Sequence, residues 1–214
     1  MNPDTTQKPT IICEDEFLVV IDKPSGLAST PAPNTPNVLD YFSGCQVVHR
    51  LDTRATGLLI LAKNAQVQTT LTEQFADKTV QKVYAAVTKN TPIESEGVLQ
   101  HWLVKQPKKA KVFTQQVPNS KHCELSYQIV QKSERYALWR IVLATGRFHQ
   151  IRAQLAAIKC PIVGDTKYGF ARTTANGSIY LQAAQLSFVH PITGKELAFS
   201  LTMPEDWQKL GLVP

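Results

Sequence analysis

The sequence predicts an α+β fold with a mixed, mainly antiparallel central sheet, flanked by helices and loops. Three observations point there. Period-two alternation of apolar and polar residues recurs in the second half, over 122–130, 135–144 and 196–202, as in strands with one face on a core. Helical periodicity is confined to short stretches near 64–78 and 149–159. Strands and helices do not alternate regularly, which argues against a doubly wound parallel sheet.

Residues 1–10 are polar, carry two prolines and lack an apolar run. They are expected to be a loose tail rather than a signal, ahead of one domain over 11–214. Phe17 to Asp22 is a short apolar run, hence a strand. It ends at the Pro-Gly turn Lys23-Pro24-Ser25-Gly26, and Pro31, Pro33 and Pro36 keep 28–38 a loop. Val38 to Phe42 starts a short helix. Leu58 to Ala62 reads as a strand buried on both faces. Asn64 is an N-cap, and Val67, Leu71 and Phe75 form the apolar stripe of a helix running to Lys78. Thr79–Thr88 and Gly97–Val104 are strands, followed by a basic loop, Lys105-Gln106-Pro107-Lys108-Lys109-Ala110-Lys111. Two neighbouring antiparallel strands follow over 122–130 and 135–144. His149–Lys159 is a helix of roughly three turns, stopped by Cys160-Pro161. A Gly-punctuated loop leads to strands over 181–189 and 196–202, joined by a turn at His190–Lys195. The C-terminal tail packs by Trp207.

Composition narrows the classes. No run of eighteen apolar residues exists, so nothing here spans a membrane as a helix. The net charge of +6 fits a polyanionic partner. Cys13, Cys45, Cys123 and Cys160 form no CxxC pair, and the five histidines have no metal-ligand spacing. No metal site is expected, and the thiols read as free in a cytoplasmic protein.

The chemistry concentrates at His49-Arg50-Leu51-Asp52-Thr53-Arg54-Ala55-Thr56-Gly57, a polar cluster between Val47-Val48 and the buried strand. Asp52 is flanked by two guanidinium groups beside a rigid element, the pattern of a reactive carboxylate. A salt-bridged structural loop is the other reading of the same residues. Gly57 allows positive φ or close approach of a second backbone.

His49-Arg50-Leu51-Asp52 followed by Gly57-Leu58-Leu59 resembles the signature of the RluA family of RNA pseudouridine synthases. The other segments of that family follow in order. Lys23-Pro24-Ser25-Gly26 has a counterpart there, and Lys82-Val83-Tyr84-Ala85-Ala86-Val87 is similar to KxYxAxV. Thr145-Gly146-Arg147-Phe148-His149-Gln150-Ile151-Arg152 is similar to TGRTHQIR, with Phe148 standing for Thr. Pro161 to Gly169 matches PIxGDxxYG, and His190-Pro191 with Thr193-Gly194 matches HPxTG. Further departures are Ala55-Thr56 for the usual Thr-Ser, Gln154 for a frequent His, and Gln182 for a common His.

The resemblance implies isomerisation of uridine to pseudouridine in a stem-loop of tRNA or ribosomal RNA, without cofactor or metal. The chain is expected to be a compact member that begins at the catalytic domain, without the S4-type domain of many relatives, and a monomer is the default expectation. Asp52 is then the catalytic carboxylate, and Arg152, one hundred positions later, the cation that keeps it charged. Tyr84 stacks on the uracil, and Ile151 lines the pocket floor. Arg54, Lys108, Lys109 and Lys111 are candidates for phosphate contacts. Arg50 binds a phosphate or braces the loop, Thr56 and Gly57 belong to the substrate-binding segment, and Arg147 and His149 touch RNA or serve structure. A catalytically inactive RNA-binding or RNA-folding protein on the same scaffold is the alternative. A carboxylate hydrolase is the third reading. It would need a second acid, and only Asp165 lies in a comparable segment, where a structural loop role is expected.

Overall fold

The computed structural model describes residues 7–212. The tail expected at 1–10 lies outside the described residues up to position 6. In chain order the elements are β1 (Thr10–Glu14), β2 (Leu18–Lys23), β3 (Gln46–Val47), β4 (Thr56–Ala62), α1 (Ala65–Ala76), β5 (Gln81–Thr88), β6 (Glu96–Lys105), β7 (Ala110–Phe113), β8 (Lys121–Lys132), β9 (Ala137–Leu143), α2 (Gln150–Ala157), β10 (Leu181–Val189), β11 (Glu196–Ser200) and α3 (Glu205–Gln208). This is the expected α+β class, with few helices on a mixed, mainly antiparallel sheet. Two compact units share these elements: one holds the residues up to Lys82 with Gln182–Leu201, the other Val83–Leu181 with the residues from Thr202 on.

In the first unit the strand order is β1-β2-β4-β10, with β3 also on β4 and β11 on β10. All pairs are antiparallel except β4 with β10, where Thr56 faces Gln182 and Gly57 faces Ala183. β4 runs through the middle, and Leu58 to Ala62 are withdrawn from water, as a continuous apolar run demands. Helix α1 lays Val67 and Leu71 on Leu18, Val20, Leu58, Ile60, Leu186 and Phe188. Its start is the expected Asn64, whose side chain accepts from the Val67 amide. The short helix near 38 is a single 3-10 turn, Val38–Asp40, closed by a reciprocal cap between Asn37 and Asp40. His190 organises the β10–β11 turn: its Nδ1 accepts from the amides of Ile192 and Thr193, and its Nε2 lies 2.8 Å from Asp15 Oδ2.

Gly57 meets both conditions that sequence left as alternatives. Its φ is +115°, and a Cβ there would clash with the Ala183 carbonyl oxygen and lie 2.5 Å from the Ala183 nitrogen. Gly57→Ala is expected to lose about 2–4 kcal/mol, combining a left-handed backbone penalty with an overpacked strand pair. Chemical denaturation of the variant checks this; a loss below 1 kcal/mol would mean that β4 and β10 separate without strain.

The second unit stacks β5-β9-β8-β6-β7, with every neighbouring pair antiparallel. Cys123, Leu125 and Tyr127 of β8 and Ala137, Trp139 and Ile141 of β9 are buried, the faces that alternation predicts. Trp139 donates its indole N–H to Thr88 Oγ1 at 2.7 Å. Trp207 of α3 is buried and stacks on Tyr180 with centroids 5.3 Å apart, so the tail packs as expected.

Helix α2 departs from its sequence reading. It has eight residues, not three turns. His149 sits at φ 54° as the N-cap, so the helix starts at Gln150. Lys159, at φ 64°, ends it before the proline acts: Lys159 N–H donates to Ala156 and Cys160 N–H to Leu155, the bond pair of a Schellman motif. Six consecutive residues, Gln150 to Leu155, are buried, so α2 is enclosed rather than amphipathic.

Candidate active site

In the first unit Asp52 is half-buried on the loop before β4. That loop has little regular structure of its own, yet nearly every carbonyl in it is held. Gly26 N–H donates to Thr53 O at 2.8 Å, Ser25 Oγ to Arg54 O at 3.1 Å, and Ala55 N–H to Asp52 O at 3.0 Å. Ser29 Oγ both accepts from Leu51 N–H at 2.9 Å and donates to Leu51 O at 3.0 Å. On the other side His49 Nε2 accepts from Ile60 N–H at 3.1 Å, and its ring stacks on Phe75 at 4.4 Å. Burial, with Lys82 nearby, pushes the His49 pKa down to about 3. A neutral imidazole can accept that bond, so His49 serves the loop as a fixed acceptor.

Lys23 makes the central tie. It is fully buried, and its ammonium donates to Pro24 O and Ala55 O at 2.8 Å and to Leu27 O at 3.0 Å. Burial pushes its pKa down to about 7, against the pull of Asp52 and then Asp22. The carbonyl cage works in the same sense as those two carboxylates, since each bond favours the charged form. Beside it, burial pushes the Asp22 carboxyl up, opposed by the Gly57 amide and Lys23. Asp52 is therefore fixed by a segment some thirty positions upstream. Lys23 reads in the sequence as a turn residue and Ser29 carries no mark; a lysine two positions after the apolar run Leu18–Ile21, in register with its buried side, was the available signal.

Arg50 is exposed and Arg54 half-buried in the same loop. Thr56 opens β4; its hydroxyl oxygen is sealed from solvent and has no hydrogen-bond partner among the described residues. Gly57 follows, pressed on Ala183.

The second unit holds Tyr84, Arg147, His149, Ile151, Arg152, Lys108 and Lys109. Tyr84 is buried in β5, opposite Ile141 of β9 and on the face of Ala86 and Thr88. Arg152 is no surface arginine: it is 3 % exposed and pairs with Asp165, itself 0 % exposed. The pairing is bidentate, Nε to Oδ2 at 2.7 Å and Nη2 to Oδ1 at 2.8 Å, the fork geometry that fixes a guanidinium most firmly. Tyr168 lies under the guanidinium, 5.1 Å from Cζ to ring centroid. The Tyr168 hydroxyl accepts from Ala110 N–H and meets His149 Nδ1 at 3.0 Å. Asp165 and Tyr168 thus seat Arg152, a role that the structural-loop reading of Asp165 did not contain.

Gln150 anchors the strand-to-helix turn. Its Oε1 accepts from Arg147 N–H and Thr145 Oγ, and its Nε2 donates to Glu124 O. Ile151 is buried. Arg147 is exposed, with Nε on His122 O at 3.1 Å. His149 stacks on Phe148 with centroids 3.8 Å apart. Lys108 and Lys109 are exposed at the tip of the β6–β7 hairpin, closed by Gln106 N–H on Lys109 O. Lys111 is not in a loop as expected: it is exposed on β7, its Nζ 5.0 Å from the Phe113 ring centroid. No helix among the described residues is long and apolar enough to cross a membrane.

Comparison with known proteins adds a common theme. The family model described as RNA pseudouridylate synthase matches residues 17–157. The tRNA pseudouridine synthase C of Vibrio parahaemolyticus is 31% identical, over 94% of this chain and 92% of that one. Ribosomal large subunit pseudouridine synthase D of Xanthomonas campestris is 30% identical, over 94% of this chain and 67% of its own. Among solved structures, human RNA Pseudouridylate Synthase Domain Containing 4 superposes with a TM-score of 0.75 at 25% identity, covering 93% of this chain and 90% of that one.

Proposed function

The chain belongs to the RNA pseudouridylate synthase family, of the RluA type, and on that basis we propose that Asp52 is its essential carboxylate and a uridine in a tRNA or ribosomal RNA stem-loop its substrate. The carrying observation is the loop of Asp52, braced from Lys23, Ser25, Ser29 and His49. A carboxylate that must meet one atom of a ribose needs such fixed backbone. Both kinds of RNA stand in the names of relatives, a tRNA enzyme and a ribosomal one.

The reaction has clear demands. A paired or stacked uracil is out of reach, so the nucleotide must leave the stack at a cost of roughly a few kcal/mol. Arg54, Lys108, Lys109 and Lys111, and Arg50 or Arg147 with them, offset this on the phosphates. Ionised Asp52 then attacks C1′ or removes the 2′ proton, and the N-glycosidic bond breaks. The freed uracil turns and bonds through C5 to C1′, as the Asp52 oxygen leaves C1′ in the first route or the proton returns to C2′ in the second. The C5 proton is then lost, and N1, freed from the sugar, takes one up. Every atom of the base stays, so the step needs no oxidant or acceptor. Arg152, seated by Asp165, is the cation that the family segments pair with the catalytic carboxylate, since a guanidinium beside a carboxylate favours its ionised form. Tyr84 supplies a stacking surface for the base, with Ile151 at the floor; a neutral phenol, with an ordinary pKa of about 10, is a poor base.

Pseudouridine maps of total RNA from cells with and without this gene test the reading. At least one uridine of tRNA or ribosomal RNA is expected to lose its signal in the deletion, and to regain it with the wild-type chain but not with Asp52→Asn. Coincident maps would overturn it.

A further inference from the structure

The second unit holds a cavity of about 270 Å³ that none of Asp52, Tyr84 or Arg152 lines. Two chemistries meet in it. Leu103 and Phe148 make an apolar floor, and Lys105, Lys121 and Arg147 make a cationic rim, with the Asn119 amide beside them and no carboxylate among the lining residues. Phe148 is the piece that the sequence comparison left over, since it stands where the resembling segment has Thr. Its ring is backed: it packs on the cluster of Leu103, Ala110, Cys123 and Ala153, and it stacks on His149, which Tyr168 holds in turn. Lys105 Nζ lies 5.3 Å from the ring centroid. Its side chain is exposed, so one rotation carries the ammonium off the ring and toward an incoming anion.

A braced aromatic ring with cations around it and an amide at its edge has the components of a nucleotide site. The ring stacks a base, the cations take its phosphate, and the amide reaches the base edge. The volume lies near the lower end of small-ligand sites, which run from about 300 Å³ upward, so it suits one base rather than a duplex. Resting on the RNA reading above, we propose that this cavity is a second nucleotide subsite, which takes one unpaired base of the RNA substrate on Phe148 and its phosphate on Lys105, Lys121 and Arg147. It selects RNAs that present a splayed nucleotide besides the uridine that reacts.

Ultraviolet cross-linking of the intact chain to total RNA, with adducts mapped by mass spectrometry, is the test. A nucleotide adduct is expected on the peptide that carries Phe148. Affinity for the same RNA should fall about tenfold or more in Phe148→Thr, as the loss of one stacked base costs. Should that variant misfold, the exposed pair Lys105→Glu and Lys121→Glu serves in its place: weaker binding with a salt slope shallower by about two supports the subsite. Adducts elsewhere only, with affinity unchanged in these variants, would overturn it. So would inorganic phosphate protecting the lysines without any base adduct, which marks an ion site. If the wild-type chain forms no pseudouridine in this RNA, the functional reading fails, and the adduct map still decides the subsite. If pseudouridine forms while Phe148 takes no adduct, the subsite alone fails.

Discussion

Replacing Asp52 by Asn is expected to abolish pseudouridine formation, by at least about a thousandfold, while the chain keeps its fold. The swap preserves size and removes only the charge and lone-pair basicity that either route at the ribose requires. The backbone of the loop should survive it, because its ties come from Gly26, Ser25, Ser29 and Lys23 and reach main-chain atoms rather than the carboxylate. Asp52 also raises the Lys23 pKa, so the variant should let that amine lose its proton more easily. Reverse-transcription stops after carbodiimide treatment measure the product, and thermal unfolding checks the fold. Product at the wild-type rate would end the assignment of Asp52.

Asp165→Ala is expected to cost about 3–5 kcal/mol, because it leaves the Arg152 guanidinium buried without its bidentate partner. For a chain of this size that is a fall in melting temperature of roughly 6–20 °C. The companion variant, Arg152→Met with Asp165→Leu, removes both charges and should recover much of that stability, since a well-packed apolar pair often equals a buried ion pair. It should recover no activity. This split would separate the two roles proposed for the pair: stability that follows from having both charges or neither, and chemistry that follows from the cation. Restored turnover in the double variant would show that Arg152 matters only to the fold.

Much of the scaffold was legible. Alternation located β8, β9 and β11, where inward and outward positions take turns along the strand, and Asn64 announced α1 because few residues cap as asparagine does. Gly57 could be assigned a special backbone from its place before a buried strand. The misses have physical causes. β1 has little inward face, with Ile11 48% exposed at a sheet edge and a bulge after it, so no period marks it. β7 was hidden by lysine density: Ala110 to Phe113 forms an edge strand whose one lysine, Lys111, is exposed and follows Lys108 and Lys109 of the hairpin tip, and charge reads as loop. The end of α2 depends on a lysine adopting a left-handed conformation, which nothing in its residue type announces. The Arg152–Asp165 pair could not be read at all, since thirteen positions and a helix end separate two residues that only the folded chain aligns. The RluA-type segments named both residues without saying that they touch.

The caged ammonium of Lys23 also bears on how loss-of-function screens should be interpreted. Variants at Lys23, Ser25 or Ser29 would emerge from a selection for inactive enzyme alongside Asp52 variants, and an activity readout alone would enrol them as participants in chemistry. Their signature differs: such proteins should regain turnover on cooling or with a stabilising osmolyte, because what they lack is a stiff mounting rather than a reactive group.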